Sequence, residues 1–127
     1  MELRDSFKFS KKLIGVNRGV IESLEIENNL GEEQLVIKAR PTKCNQCRCG
    51  ICGKRSPKYD NGNGIRRWRA LDFGNSVGVF AESEAIRVEC PEHGVTVRQV
   101  PWARHNSRYT KSFEDWVVWL TLHFLHS

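Results

Sequence analysis

From Gly15 to Arg40 the chain reads as strand. Val20, Glu22, Leu24 and Ile26 interleave with Ile21, Ser23, Glu25 and Glu27, and the run breaks at Asn28-Asn29-Leu30-Gly31. Asn and Gly tolerate positive φ, so this break predicts a hairpin turn. Gln34 to Ala39 is the returning strand, ended by Pro41, which cannot donate to a ladder. Further on, Ile65–Leu71, Val77–Ala81, Ala85–Cys90 and Val95–Val100 form four short strand candidates. The segments between them, Asp72-Phe-Gly-Asn-Ser, Glu82-Ser83-Glu84 and Pro91-Glu-His-Gly, carry turn residues, so a small antiparallel sheet is expected. Near the end the period changes. Phe113, Trp116, Val117, Leu120 and Phe124 fall on one helical face, Thr110 or Ser112 can cap it, and Glu114 and Asp115 suit its first turn. Val118, Trp119 and Leu122 make the other faces apolar as well, so this helix wants partners of its own.

The expected fold is therefore mainly β with a C-terminal helix: an N-terminal β-hairpin, then zinc-ribbon-like antiparallel strands, in a small α+β arrangement. Four segments are expected: a polar leader over 1–13, the hairpin over 14–40, a zinc ribbon over 41–104, and over 105–127 the truncated start of a helical region. No repeat and no low-complexity tract interrupts this order.

Residues 41–64 hold almost no large aliphatic side chains and cannot build a core unaided. Their cysteines supply another organiser. Cys49-Gly50-Ile51-Cys52-Gly53 and Cys90-Pro91-Glu92-His93-Gly94 each place two soft ligands two residues apart on a tight turn, with Gly directly after. Two such knuckles complete a tetrahedral Cys3His shell, so one structural Zn²⁺ on Cys49, Cys52, Cys90 and His93 is expected. Zinc in small sites contributes about 10–16 kcal/mol to folding. Four protein ligands leave no open position for an activated water, which argues against a catalytic metal. Cys44-Asn-Gln-Cys47 overlaps the first knuckle; Cys47 is an alternative ligand, and Cys44 is expected to be a free thiol. His123 and His126 fall on the helix as packed or solvated residues, and His105 lies between Arg104 and Arg108 on a basic edge.

Among 127 residues the net charge is +5, yet residues 38–69 alone hold ten Lys or Arg and one Asp. So dense a block is the footprint of a nucleic-acid face. Period-2 alternation places Arg67 and Arg69 opposite Trp68, and with Lys54, Arg55, Lys58 and Arg66 they form a candidate phosphate-binding strip. The longest apolar run, Trp116 to Leu125, is too short for a bilayer, which takes about 20 residues. No secretion signal is evident at the N-terminus, so a cytoplasmic setting is expected, where cysteines more often bind metal than pair.

The motifs also carry a resemblance. Cys49-Gly-x-Cys52-Gly, Tyr59-Asp60, Arg67-Trp68-Arg69-Ala70-Leu71-Asp72, Arg87-Val88-x-Cys90-Pro91-x-His93-Gly94-Val95, Val100-Pro101-Trp102-Ala103 and Thr110-x-x-Phe113-Glu114 follow in that order. The series resembles the N-terminal zinc-finger region of bacterial insertion-sequence transposases of the ISL-three family, from about Gly15 onward. The resemblance implies a metal-dependent DNA-binding domain that recognises the terminal inverted repeats of a mobile element, in a bacterial cytoplasm. In complete members a helical DNA-binding region and a catalytic domain with three essential acids follow. This chain stops near where the helical region begins, so no acid here is assigned a catalytic role and no enzyme activity is expected. Cys44-x-x-Cys47 departs from the family pattern. The competing reading is a zinc-stabilised protein-interaction module that self-associates through Phe113, Trp116, Val117 and Leu120.

Overall fold

The computed structural model describes residues 19–72 and 77–125. The expected polar leader, the first strand-like residues before Gly19, residues 73–76 of one expected turn, and His126 lie outside them. In chain order the elements are β1 (Gly19–Asn29), β2 (Glu32–Pro41), a single 3-10 turn at Lys43–Asn45, β3 (Lys58–Asp60), β4 (Ile65–Arg69), β5 (Gly78–Glu84), β6 (Arg87–Cys90), β7 (Gly94–Val97) and α1 (Lys111–Leu125). They build two sheets, of order β1-β2-β5-β4 and β3-β6-β7, followed by one helix. This is the mainly β, small α+β fold with a C-terminal helix.

The first hairpin turns where the sequence places it. Leu30 and Gly31 both take positive φ, 54° and 86°, and the Asn28 side chain accepts the Gly31 N–H at 3.1 Å. Two successive positive φ values match the twist of the flanking strands. After β2 the chain crosses over and returns as β5, which pairs with β2 in parallel, while β4 pairs with β5 antiparallel. The later strands pair antiparallel as expected, but in two sheets, and the hairpin joins the first of them through the parallel β2–β5 pair, which makes that sheet mixed.

Two further expectations differ. Glu82 and Ser83 are not a turn: both are buried inside β5. Their polarity is satisfied from a distance, because Arg67 Nε donates to Glu82 Oε2 at 2.7 Å and Arg98 Nη2 donates to Ser83 Oγ at 3.2 Å. Buried polar groups survive in a strand when they are paired. The chain instead turns at Ala85 and Ile86, from the first sheet into β6 of the second. The short β3 was also not expected; Asp60 at its end accepts two bonds from Arg87 of β6.

One face of the larger sheet carries the core. Ile21, Ile37, Ala39, Trp68, Ala70, Val79 and Ala81 are covered there by Val100, Trp102 and Ala103 from the segment before α1. Trp68 and Trp102 meet edge to face with ring centroids 5.4 Å apart. The opposite face is charged: Lys38, Glu82 and Arg67 lie in register across β2, β5 and β4.

Candidate metal centre and basic groove

The first knuckle is built by its own backbone. The Cys49 N–H donates to Lys54 O and the Gly53 N–H to Cys49 O, both at 2.9 Å, and the Ile51 N–H points at Cys49 Sγ at 3.4 Å. Gly53 sits at φ 76°, a conformation that side-chain-bearing residues rarely take. The second knuckle closes the β6–β7 hairpin, with Cys90 paired to Gly94 and Gly94 at φ 69°.

The two knuckles face one another. The donor atoms of Cys49, Cys52, Cys90 and His93 all lie within 4.8 Å of one another. Cys49 Sγ is 3.8 Å and Cys90 Sγ 3.7 Å from His93 Nδ1, and Cys52 Sγ is 3.7 Å from Cys90 Sγ. A disulfide needs about 2.05 Å, so these are not bonded pairs. Zn–S and Zn–N lengths of about 2.3 and 2.0–2.1 Å give tetrahedral edges of about 3.5–3.8 Å. The spacing and the Cys3His donor set both fit that ion. Burial pushes the Cys90 thiol up, but the Glu92 and His93 N–H groups, the His93 ring and the Cys52 thiol outweigh it and bring it down to about 6. At Cys52 the Lys54 N–H lowers the value, and burial with the Cys90 and Cys49 thiols raises it further than that. Cys44 and Cys47 lie outside this group.

The six residues of the expected phosphate strip do not share one surface. Lys54 is ion-paired with Glu92 across the two knuckles. Arg67 binds both carboxylate oxygens of Glu27, at 2.9 and 2.7 Å, besides Glu82. Arg69 pairs with Asp72 and stacks on Phe80. Arg66 points to the other face, over Trp68 at 5.2 Å, and donates to Ser107 O at 2.6 Å. Arg55 and Lys58 are exposed on the ribbon.

A concavity of about 990 Å³ opens between the first knuckle and the start of the helix. Arg48 and Arg66 line it from the ribbon, and Arg104, His105 and Lys111 from the segment that leads into the helix. The helix itself begins at a capped end: Thr110, fully buried, accepts the Phe113 N–H at 3.2 Å. Beyond its first turn α1 stands in solvent, with Trp116, Val117, Val118, Trp119 and Leu122 all exposed. His123 rests on Trp119 within the same helix. Among the described residues no helix is long and apolar enough to cross a membrane.

Comparison with known proteins follows these features. Residues 45–93 match the zinc-finger of transposase IS204/IS1001/IS1096/IS1165, and residues 98–123 match the helix-turn-helix domain of transposase family ISL3. The chain belongs to the N-terminal region of ISL3-family transposases. Two relatives, each a transposase for insertion sequence element IS1557 from Mycobacterium tuberculosis strains CDC 1551 / Oshkosh and ATCC 25618 / H37Rv, are 48% identical over 115 residues. That alignment covers 88% of this chain and 26% of each relative, so the chain spans about a quarter of their length. No solved structure matches it.

On this ISL3 chain the zinc-finger match ends at His93, the last of the four clustered residues, and the helix-turn-helix match takes in Trp102 and most of α1. The two regions therefore share one core through Trp68 and Trp102. The sequence places Arg104 only on a basic edge with His105 and does not single out Arg48 or Lys111. The dense basic block contains Arg48, but nothing local brings Arg48 and Lys111 to one concavity.

Proposed function

We propose that this chain is the zinc-dependent DNA-binding part of an insertion-sequence transposase, recognising the terminal inverted repeats of its element. One Zn²⁺ on Cys49, Cys52, Cys90 and His93 is its structural centre. The observation that carries the reading is the Cys3His cluster at tetrahedral spacing inside a region matching a transposase zinc finger, directly followed by a helix-turn-helix match. The ion's chemistry here is cross-linking: it ties the 49–53 turn to the β6–β7 turn. The chain's own part is to present positive charge, and none of its residues is assigned a strand-cutting role.

In this reading the hairpin over 14–40 supports a ribbon over 41–104, and 105–127 opens the helical region. Arg55 and Arg66, which form no ion pair among the described residues, carry phosphate contact together with the exposed Lys58; Lys54, Arg67 and Arg69 add to it where DNA competes with Glu92, Glu27, Glu82 and Asp72. The test is a binding titration of zinc-loaded protein with duplexes bearing the element's ends and with scrambled duplexes. Tighter binding to the ends, abolished by metal removal, is expected; no binding at low salt with zinc loaded contradicts the proposal.

A second reading rests on the exposure of Trp116 and Val117, 46% and 42%. Together with Phe113 and Leu120 they offer an apolar face for a second copy. Sedimentation over a concentration series tests it: a dimer that Trp116→Glu dissolves is expected, and a monomer at all concentrations contradicts it.

A further inference from the structure

Resting on the DNA-binding reading above, we infer that the groove between the zinc knuckle and the first turn of α1 is a seat for the sugar–phosphate backbone of duplex DNA, gripped by Arg48 and Arg66 from the ribbon side and by Lys111 from the helical side.

The distribution of carboxylates sets this groove apart from most of the basic block. Of the block's cations outside the groove, Lys38 is paired with Glu25, Arg40 with Glu22, Lys54 with Glu92, Arg67 with Glu27 and Glu82, and Arg69 with Asp72; Lys43, Arg55 and Lys58 stand apart on the ribbon, away from the helical side. The groove lining contains no Asp or Glu. Its arginines are held by neutral acceptors instead. Arg48 donates to Asn45 Oδ1 at 2.7 Å and to Gly53 O at 3.0 Å, and Arg66 donates to Ser107 O while lying over the Trp68 ring. Such bonds fix the guanidinium without cancelling its charge. A guanidinium has five N–H donors, so each arginine keeps donors for a phosphate. Arg104 at the rim is paired with Glu114 and Asp115, which leaves Lys111 as the cation of the helical wall.

The two walls pack against each other. A Cβ added at Gly50 would lie 2.5 Å from His105 Nδ1 and 2.4 Å from Val97 O, so the helical-side segment packs directly on the knuckle. The Lys111 N–H donates to Trp102 O at 2.8 Å, which anchors the lysine's own backbone to the buried core. At about 990 Å³ the groove exceeds the need of one small anion. A polyanion whose successive phosphates meet successive cations fits its size and its charge. The zinc ribbon and the helical region thus hold one DNA segment jointly.

The experiment is the salt dependence of duplex binding by the zinc-loaded chain, for wild type, Arg66→Gln, Lys111→Gln and the outer-face control Lys38→Gln. The zinc content of each is measured first by metal analysis, and slopes are compared between variants that carry equal zinc. Each phosphate contact contributes about 0.9 to the slope of log K against log salt. Arg66→Gln and Lys111→Gln are expected to flatten the slope by about 1 each, while Lys38→Gln leaves it unchanged. Lys111 is exposed, so its variant decides the matter even if Arg66→Gln loses zinc. Wild-type binding with unchanged slopes in both groove variants overturns the groove and leaves the DNA-binding reading standing. Equal flattening by Lys38→Gln also overturns it, since charge would then act without regard to position. No wild-type binding at all overturns the parent reading and the groove with it.

Discussion

Trp68 on β4 and Trp102 before α1 meet edge to face at 5.4 Å, one within the zinc-finger match and the other within the helix-turn-helix match. Both are buried, at 3% and 0% exposure. The contact joins the two regions through one core, so they are expected to unfold as one cooperative unit. Trp102→Ala is expected to cost about 3–5 kcal/mol, the range for emptying a buried aromatic site. Urea unfolding followed separately by far-UV circular dichroism and by zinc release should give one shared midpoint, lowered together in the variant. Two separated transitions would show that the regions fold independently.

Metal analysis of cysteine variants tests the register of the first knuckle. Cys49→Ser is expected to lose zinc, and Cys44→Ser to keep one zinc per chain, because Cys44 lies outside the clustered donors. Chelator treatment of the wild type should disorder the Cys/Gly-rich stretch after Pro41, which contributes almost no aliphatic side chain to the core. Increased hydrogen exchange confined to that stretch and to the β6–β7 turn would be the signature.

Arg67 is the hub of the charged outer face. Removing it in Arg67→Gln leaves the buried Glu82 carboxylate without its 2.7 Å partner, a loss of about 1–3 kcal/mol. The pH dependence has a definite sign. The Arg67 hydrogen bond holds the Glu27 carboxyl below its ordinary value. A depressed carboxylate contributes stability that is present above its unfolded value of 4.5 and lost as pH falls through the lower folded value. The stability gap between wild type and Arg67→Gln should therefore be full at pH 7 and shrink in acid. A gap that grows below pH 4 would contradict the pairing.

Thr110 combines two jobs, since its hydroxyl caps Phe113 and its own N–H bonds Arg69 O at 2.8 Å, tying the helix start to the edge of β4. Thr110→Ala is expected to cost about 1 kcal/mol and to reduce helicity at 222 nm, while leaving zinc in place. Unchanged helicity would mean the cap is redundant.

Local signals in the sequence carried far, and distant ones did not. The two knuckles, the Leu30-Gly31 turn and the capped helix each depend on residues a few positions apart, so pattern and residue type expose them. The Glu82-Ser83 stretch looked like a turn because its burial depends on Arg67 and Arg98, each fifteen residues away in the chain. The parallel partnership of β2 and β5 has no local mark either. The basic block illustrates the same point. Its charge was visible, but which cations are cancelled depends largely on Glu27 and Glu92, each some forty residues from its partner, reaching them in space. Grouping Arg66 with Arg67 and Arg69 overlooks that alternation sets it on the Trp68 face, and that it lines one concavity with Lys111 required the fold.

The most direct measurement is X-ray absorption at the zinc edge on purified, zinc-loaded protein. The account predicts one zinc per chain with three sulfur neighbours at about 2.3 Å and one nitrogen at about 2.0–2.1 Å. Four sulfur neighbours would bring Cys47 or Cys44 into the shell in place of His93. That result, or protein that takes up no zinc at all, would contradict the centre on which the DNA-binding account is built.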